Sequence, residues 1–320
     1  MINADNVVVF DNTGIPSIMV RFKKCTNADL FPGGSNETHP MFIIDGEEVD
    51  EIFISKYPNT IINGKAYSLP YKEPATNIKH DEAAEACYSK GDGWHMLTAA
   101  EWAYLALESK RNKTLPHGNT NWGKDFNHPE EAGVCYDGSR TLTGSGPATW
   151  AHDHTPFGVH DLCGNIWEMI SGLRLLNGEI QVIENNNAAN KIDTSRKSDL
   201  WKPVIHEGKP TRFVIDDECN VKLTNEGESG GWDGCRWDEL TTDIEVPETL
   251  KALALYPVDD EEVSSWMFTD TEGERLPIRG GSWYFTSGAG VFDLNLNNPR
   301  SGSNYFIGFR SAFYRKQKTE

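Results

Sequence analysis

Alternation of apolar and polar residues predicts strands at several points along the chain. Glu51–Ser55 alternates with the period of two that a half-buried strand requires. Asn63-Gly64 lies between two strand-like runs, and this dipeptide favours the tight turn of a β-hairpin. Leu173–Ile183 has the same pattern of strand, Asn-Gly turn and strand, and Ile307–Tyr314 is strand-like near the C-terminus. These segments predict a domain that contains antiparallel strand pairs.

Two helices are predicted between these strands. Residues Asp81–Lys90 have helical composition and are followed by glycine, which is common just beyond a helix C-terminus. The second helix has a clearer start, because Thr98 and Glu101 have the spacing of a capping box. Apolar residues recur on one face from Trp102 onward, and Pro116 prevents continuation. We therefore expect an amphipathic second helix that ends before Pro116.

Composition along the chain predicts its organisation. Residues 1–40 combine a short apolar stretch with turn-rich sequence, which indicates an appended N-terminal arm or docking segment. The main domain then spans 41–320, and its stretch 112–160 is rich in Gly, Asn, His and Pro, as in loops. Residues 173–265 have the polar and glycine-rich character of an insertion within that domain.

Size and charge exclude several classes of protein. The 320 residues, 38% apolar and 11% aromatic, suit a folded globular chain. The net charge of −18 repels phosphate backbones and anionic lipid, so nucleic acid is a poor candidate partner. No run approaches the ~20 apolar residues of a spanning helix, and the N-terminus lacks the pattern of a signal peptide. We expect a soluble protein without its own export signal and without membrane insertion.

Candidate metal ligands are sparse. The six cysteines form no CxxC pair, so reduced and mostly buried thiols are favoured over a zinc site or a disulfide framework. The densest His/Asp cluster comprises His152-Asp153-His154 with His160 and Asp161. These side chains suit a transition metal, but a polar loop explains them as well, and we favour the loop. No nucleophile elbow or phosphate-binding glycine loop occurs.

Four sequence islands together resemble one family. They are GWHMLTAAEW at 93–102, FGVHDLCGNIWE at 157–168, RGGSW at 279–283 and GFR at 308–310. In this order they resemble the signatures of formylglycine-generating-enzyme-type domains, and the resemblance covers about residues 45–315. It implies an α+β, C-type lectin-like fold with a small twisted antiparallel sheet, two helices and extensive loops.

The resemblance also bears on chemistry. Enzymes of this family bind copper through two cysteines shortly after the RGGS motif, but Phe285 and Gly290 stand near those positions and no cysteine follows Cys235. The related iron-dependent sulfoxide synthases need a separate helical domain, for which this chain has no room. We therefore expect a protein that is not an enzyme and has no cofactor. Related domains often hold calcium, and Asn165 and Glu168 would supply oxygen ligands of the kind calcium uses.

The segment 284–306 has an unusual composition. It contains no Lys, Glu, Gln, His, Met, Trp or Cys, and it is rich in Tyr, Phe, Ser, Gly and Asn, as antibody loops are. It resembles the variable region of diversity-generating-retroelement target proteins, in which randomised Asn codons reach this residue set. The resemblance places a variable region at about 283–310. It implies ligand-binding roles for Tyr284, Phe285, Ser287, Gly288, Asp293, Gly302, Asn304, Tyr305 and Phe306.

The same resemblance implies fixed scaffold at Ala289–Phe292 and Leu294–Arg300. Thr286 departs from the expected pattern, which has glycine at this position. An alternative interpretation of the segment is an ordinary loop whose aromatic residues belong to the core. We favour the binding interpretation, because the missing residue types, the scaffold and the terminal GFRSA agree.

These patterns predict a non-catalytic ligand- or receptor-binding protein whose C-terminal surface is diversified by a retroelement. The expected partner is a protein or glycan on a cell surface, with assembly into a virion or surface structure through residues 1–40. A phage tail protein, made in the cytoplasm before assembly, or a surface-displayed bacterial protein would both fit. The alternatives are a metal-dependent oxidase of the formylglycine-generating or sulfoxide-synthase type and a carbohydrate-binding lectin of fixed specificity.

Overall fold

The computed structural model describes residues 5–216, 220–227 and 230–316, and short strands make up most of its regular structure. The helices α1 to α3 are His80–Tyr88, Ala99–Asn112 and Glu248–Ala252. The strands β1 to β23 are, in chain order, Asp5–Phe10, Pro16–Lys23, Ile43–Ile44, Glu47–Glu48, Glu51–Ser55, Thr60–Ile62, Lys65–Tyr67, Trp94–Met96, Trp167–Met169, Leu173–Leu176, Glu179–Ile183, Trp201–Pro203, Ile205–His206, Lys209–Pro210, Arg212–Ile215, Val221–Thr224, Trp232–Arg236, Thr241–Thr242, Trp266–Asp270, Glu274–Arg279, Leu294–Asn298, Ile307–Phe309 and Ser311–Phe313.

The first sheet has five antiparallel strands in the order β1-β2-β5-β23-β8. The predicted strand Glu51–Ser55 is confirmed as β5, and Asn63-Gly64 turns between β6 and β7 with both residues at positive φ. Positive φ at both central residues is the requirement of a type I′ hairpin turn, which Asn and Gly meet most easily.

The N-terminal residues are part of this sheet, so the interpretation of residues 1–40 as an appended arm is wrong for the described part. Strand β2 lies between β1 and β5, and its side chains Met19, Val20 and Phe22 are fully buried. The turn-rich sequence that follows β2 suggested a separate segment. The apolar positions within β2 nevertheless supply part of the main core.

Helix α2 begins with the predicted capping box. The Glu101 amide donates to Thr98 Oγ1 at 3.2 Å, and the Thr98 amide donates to Glu101 Oε2 at 2.9 Å. The expectation of one apolar face is wrong, because every residue from Ala99 to Ser109 is buried. Rings from the N-terminal region, Phe22 and Phe42, pack edge-on against Tyr104 and cover the helix.

The second sheet has twelve strands and includes the region predicted as an insertion. The hairpin at Leu173–Ile183 is confirmed as β10 and β11, with the turn at Asn177-Gly178. Strand β10 also pairs with β20, and β11 connects onward to β15, β16 and β18. Residues 173–265 therefore extend a sheet to which the C-terminal segment also contributes.

The predicted C-terminal strand Ile307–Tyr314 is divided in two at Arg310. Strand β22 pairs with β9 in the second sheet, whereas β23 pairs with β5 and β8 in the first. The chain therefore passes from one sheet to the other at Arg310, whose side chain is fully buried. Among the described helices, none has the length and apolar character that crossing a bilayer requires.

Candidate ligand-binding surface

A buried ion pair fixes the point where the two sheets meet. Arg310 Nε donates to Glu168 Oε2 at 2.6 Å, and its Nη2 donates to the other carboxylate oxygen. The same guanidinium donates to the carbonyl oxygens of Ser55 and His160 at 3.2 and 3.0 Å. Burial raises the pKa of Glu168 above its ordinary value, although the charge and the hydrogen bonds of Arg310 oppose the shift. This ion pair therefore joins the GFR island at 308–310 to the end of the FGVHDLCGNIWE island at 157–168, and its role is structural.

The oxygen atoms considered for calcium have protein partners. Glu168 is held by Arg310, as described above, and Asn165 Oδ1 accepts from the Thr141 amide at 2.8 Å and from Asn119 Nδ2 at 3.1 Å. Asn165 Nδ2 in turn donates to the Thr141 carbonyl oxygen. These two side chains therefore do not fit a calcium site, and we assign them a structural role.

Asp293 is the one predicted ligand-binding residue that the structure places in the core. Its exposed fraction is 0%, and its Oδ1 accepts from the Trp266 amide at 2.8 Å. Burial raises its pKa well above the ordinary value, although hydrogen bonds and nearby Arg279 oppose the shift. In a turn-rich sequence, an aspartate can lie in an exposed loop or point inward and accept hydrogen bonds from backbone amides. Here it points inward and links β19 to the segment that follows the RGGSW motif.

The arginine of the RGGSW motif also stabilises the segment around Asp293, through buried hydrogen bonds. Arg279 is fully buried and donates to the carbonyl oxygens of Ala254 and Leu253, just beyond α3, and of Phe292. Burial lowers the pKa of Arg279 to about 9, and Asp293 partly opposes this. The motif is therefore a structural anchor for the residues that follow it.

A group of aromatic side chains, here called the aromatic surface, lies above this framework. It comprises Trp122, Trp283, Tyr284, Tyr305 and Phe306. Consecutive ring centroids are 5.1, 4.9, 5.7 and 5.1 Å apart in the order Trp122, Trp283, Tyr284, Phe306, Tyr305. The side chains of Trp122, Tyr284 and Tyr305 are 53%, 37% and 47% exposed, whereas Trp283 and Phe306 are half-buried. Edge-on contacts keep these rings in fixed positions while leaving their outer faces to solvent.

Backbone hydrogen bonds hold the three loops of the aromatic surface together. The Trp122 amide donates to the Trp283 carbonyl oxygen at 3.0 Å, and the Thr286 amide donates to the Thr120 carbonyl oxygen at 2.9 Å. On the other side, the Trp167 amide in β9 donates to the Phe306 carbonyl oxygen at 2.8 Å. The rings are thus carried on loops that the framework positions directly.

Arg140 supports the outer end of the surface. Its guanidinium lies 5.7 Å from the centre of the Tyr305 ring and 5.1 Å from that of Tyr136. It also donates to the Tyr305 carbonyl oxygen and forms an ion pair with Asp137 at 2.7 Å. These contacts orient Tyr305 without covering it.

The other predicted binding residues lie at the surface to different degrees. Ser287 is exposed, while Gly288, Gly302 and Asn304 are half-buried. Phe285 is half-buried because its ring packs edge-on against Trp167 and Phe268 at 5.5 and 5.6 Å. The structure therefore brings together two short segments, 283–288 and 302–306, which are separated along the chain by a stretch whose first part, 289–294, is buried.

Thr286 adopts a backbone conformation that favours glycine. Its φ is +55°, in the left-handed region that a β-branched residue rarely adopts. The sequence comparison with variable regions expects glycine at this position. The structure gives a physical reason for that expectation, since glycine has no Cβ to clash in this region.

Trp122 is not among the binding residues predicted from the sequence. It lies in the loop-rich stretch 112–160, where only the His/Asp cluster was considered as a candidate site. A lone tryptophan in the polar sequence Asn121-Trp-Gly123 was the available signal, because an aromatic residue without an apolar neighbour suggests exposure.

The residues after the RGGSW motif do not fit a copper site. Phe285 packs against aromatic rings, as described above. At Gly290, a Cβ atom would lie 2.1 Å from the Ser264 carbonyl oxygen, so no cysteine side chain fits there without a backbone shift. Copper chemistry of the family's enzymatic type therefore has no ligands at these positions.

The His/Asp cluster at 152–161 is a polar loop, as favoured from the sequence. His152 Nδ1 accepts from the Val159 amide, His154 Nε2 lies 2.9 Å from the Leu115 carbonyl oxygen, and Asp161 Oδ2 accepts from the Gly144 amide. These three side chains therefore form hydrogen bonds with different segments of the chain and do not converge on one point. Among the described cysteines, all five are free thiols, four of them buried, while Cys219 lies outside the described residues.

Four cavities in the described residues, with volumes of about 460, 290, 170 and 620 Å³, are not lined by Tyr284, Tyr305 or Phe306. These four cavities therefore lie away from the aromatic surface, whose most exposed rings face solvent.

Comparison with known families gives a match to part of the chain. Residues 42–199 match the model of the FGE-sulfatase family, described as the sulfatase-modifying factor enzyme 1-like domain. This match confirms the expected resemblance to formylglycine-generating-enzyme-type domains over that stretch, which contains the first two sequence islands. The fold is accordingly α+β and C-type lectin-like, with few helices and mostly sheet. The RGGSW and GFR islands lie beyond the matched stretch.

Solved structures give more distant similarities. The chain is 12% identical to Treponema denticola variable protein 1 over 96% of this chain and 98% of that one, with a TM-score of 0.36. The M1 and U1 variants of the major tropism determinant are 10% and 11% identical, over 98% of this chain and 72% of theirs, with TM-scores of 0.36 and 0.34. These similarities are too distant to transfer a function. No curated protein sequence matches the chain.

Proposed function

We propose that this chain is a non-catalytic ligand-binding protein whose aromatic surface contacts a protein or glycan on a cell surface. Its exposed residues are diversified by a retroelement, as the composition of the variable region suggests. The observation that carries the proposal is the division of residues 283–306 into exposed ends, which bear Tyr284 and Tyr305, and a buried middle around Leu294. The exposed side chains at the ends, such as Tyr284 and Tyr305, can be exchanged without disturbing the core.

The chemistry of the exposed ends suits recognition of a macromolecule. Tyrosine combines a large apolar ring with a hydroxyl group, and it loses little conformational entropy on binding. Truncating a tyrosine to alanine costs about 2 kcal/mol or more where the ring is a hot spot of an interface, and tyrosine is enriched among such residues. Serine, glycine and asparagine beside them provide adaptable hydrogen bonds, and we assign no cofactor to the surface.

A metal-dependent oxidase is the main alternative. The misfit of Phe285 and Gly290 to a copper site supports binding over that alternative, as does the position of four cavities away from the aromatic surface. A lectin of fixed specificity would use the same surface, but its gene would carry no trace of diversification.

Assembly into a virion or another surface structure is part of the proposal. Because β2 is interior, a contact made by the N-terminal region would use the outer edge of β1. Val8 and Phe10 are exposed there, at the edge of the first sheet.

The DNA around the gene tests diversification. The proposal expects a near-copy of the region coding for Trp283 to Phe309, with adenine-containing Asn codons where this gene has other bases, beside a reverse-transcriptase gene. An isolated gene without such a near-copy would favour the lectin of fixed specificity.

Paired variants test the aromatic surface itself. Fluorescently labelled protein is applied to a panel of bacterial cells to find a strain that it binds, and the affinity is then measured by titration. Replacing Tyr284 and Tyr305 with Ala is expected to weaken binding at least about 10-fold, since both rings would be buried in the complex. Tyr71→Ala is the control, because Tyr71 is 59% exposed and lies outside the surface. Equal affinity of the double variant and the control would contradict the proposal.

A further inference from the structure

Two histidine rings and a carboxylate meet at the base of the loop that carries Trp122. His117, His128 and Glu131 each offer a ligand atom, and these atoms all lie within 4.8 Å of one another. The two imidazole rings are stacked with centroids 4.0 Å apart, and His117 Nδ1 lies 3.1 Å from Glu131 Oε2. We propose that these three side chains bind a divalent transition-metal ion of the zinc type, which accepts imidazole nitrogen and carboxylate oxygen.

The backbone around these side chains is already fixed. Asp125 is buried, and its Oδ2 accepts from the Gly118 amide at 3.1 Å while its Oδ1 accepts from the Asn127 and His128 amides at 2.8 Å. One carboxylate therefore holds the peptide groups next to both histidines. The Glu131 amide also donates to the His128 carbonyl oxygen at 2.9 Å. The backbone that carries these side chains therefore loses little further entropy when an ion binds.

The carboxylate ligand has the outer contacts that metal sites commonly show. Trp150 Nε1 donates to Glu131 Oε2 at 3.0 Å and thereby orients the carboxylate.

The three ligands are accessible to an ion. The side chains of His117 and His128 are 26% and 44% exposed, and both rings border a cavity of about 170 Å³. Three protein ligands beside open space leave room for water as a fourth ligand, as in zinc sites with an open position. The two rings are stacked with an angle of 6° between their planes, so at least one of them must turn for both nitrogens to face the same ion.

An ion at this site would join the two ends of the loop 117–131. Trp122 lies within that loop, so metal binding would restrict the position of one ring of the aromatic surface. This consequence rests on the proposed function, whereas the metal site itself does not.

Cobalt titration tests the site. The chelator-treated full chain is titrated with Co²⁺, whose visible absorption reports nitrogen and oxygen ligation, and Zn²⁺ is then added in competition. We expect one equivalent of Co²⁺ to bind and Zn²⁺ to displace it. His117→Ala, His128→Ala and Glu131→Gln should each weaken binding at least about 10-fold, because removing even an outer contact costs about that much.

His206→Asn is the matched control, since His206 lies in the β13–β14 hairpin and should leave the titration unchanged. Melting temperatures without metal verify that each variant folds, and Glu131→Gln retains the shape of the site. Absence of a Co²⁺ band, or a band that survives His117→Ala and His128→Ala, would overturn the proposal. If the Co²⁺ band is intact but the Tyr284 and Tyr305 variant still binds cells, the proposed function fails and the metal site does not.

Discussion

The exposed ends and the buried middle of residues 283–306 differ in environment more than in composition. Tyr305 is 47% exposed at one end, whereas Leu294 and Leu296 in β21 are fully buried between them. Both parts draw on small, polar and aromatic or aliphatic residues without Lys or Glu. The comparison teaches that burial, and not residue type alone, separates the side chains required for folding from those available for binding.

The largest expected effect comes from the framework beneath the surface. Glu168→Leu leaves Arg310 buried without its partner, and such a loss typically costs about 3–5 kcal/mol of the free energy of unfolding. Chemical denaturation measures this cost. Glu85→Leu is the control, because Glu85 pairs with Lys191 at the exposed surface and should change stability by less than about 0.5 kcal/mol. Similar costs for the two variants would remove the distinction between framework and surface.

The second prediction uses the pH dependence of the free energy of unfolding to test whether His39 in the core is neutral. Burial lowers the pKa of His39 from 6.5 to about 4, although its hydrogen bond with the Ala252 carbonyl oxygen opposes this. As pH falls below 6.5, the unfolded chain takes up the proton first, so His39 lowers stability progressively until about pH 4. The loss amounts to about 3 kcal/mol.

Asp161 acts in the opposite direction, since burial raises its pKa to about 6, so the wild-type profile contains both contributions. We therefore compare wild type with His39→Gln across pH 4 to 7 by denaturant titration. Asp161 is common to both proteins, and the difference should isolate the histidine. Parallel profiles would contradict the assignment of His39 as a buried neutral group.

A third prediction compares two aromatic residues of the variable region. Phe285→Ala removes a ring that packs against Trp167 and Phe268, so we expect it to cost about 2 kcal/mol. Tyr305→Ala should cost less than about 0.5 kcal/mol, because the residue is 47% exposed and lies outside the core. Thermal and chemical denaturation of both variants measure the two costs. A larger cost for Tyr305→Ala would place that ring among the structural residues.

The smallest expected effect concerns Thr286. Replacing it with Gly relieves a positive φ that costs an L-residue roughly 1–2 kcal/mol, while the greater freedom of glycine in the unfolded chain offsets part of the gain. We expect a net stabilisation of up to about 1 kcal/mol, measured as a higher denaturation midpoint. Destabilisation by Thr286→Gly would show that the threonine side chain makes a contact that outweighs its backbone strain.

The sequence predicted local elements well where a few adjacent residues determine them. The capping box of α2 depends on side-chain-to-backbone bonds within four residues, and the Asn-Gly hairpins depend on positive φ at two adjacent residues; each was confirmed. The role of residues 1–40 could not be predicted in this way. Whether β2 pairs with β5 depends on contacts about thirty residues apart, which no local pattern records.

The candidate site shows the same limit. Composition separated the segment 284–306 from the rest of the chain, but it could not reveal which positions face outward. Asp293 turns inward to accept from the Trp266 amide, and Trp122 joins the surface from a loop more than 150 residues earlier. Both outcomes depend on tertiary contacts.

The claim that exposed side chains are interchangeable on a fixed framework can be tested by one measurement. Two libraries of the full chain are displayed on yeast and scored for resistance to protease, which reports folding. One library varies Tyr284, Ser287, Ser303 and Tyr305, and the other varies Val291, Asp293, Leu294 and Leu296. Our account predicts that most members of the first library remain folded and that few members of the second do. Equal resistance in the two libraries, or loss of folding throughout the first, would contradict it.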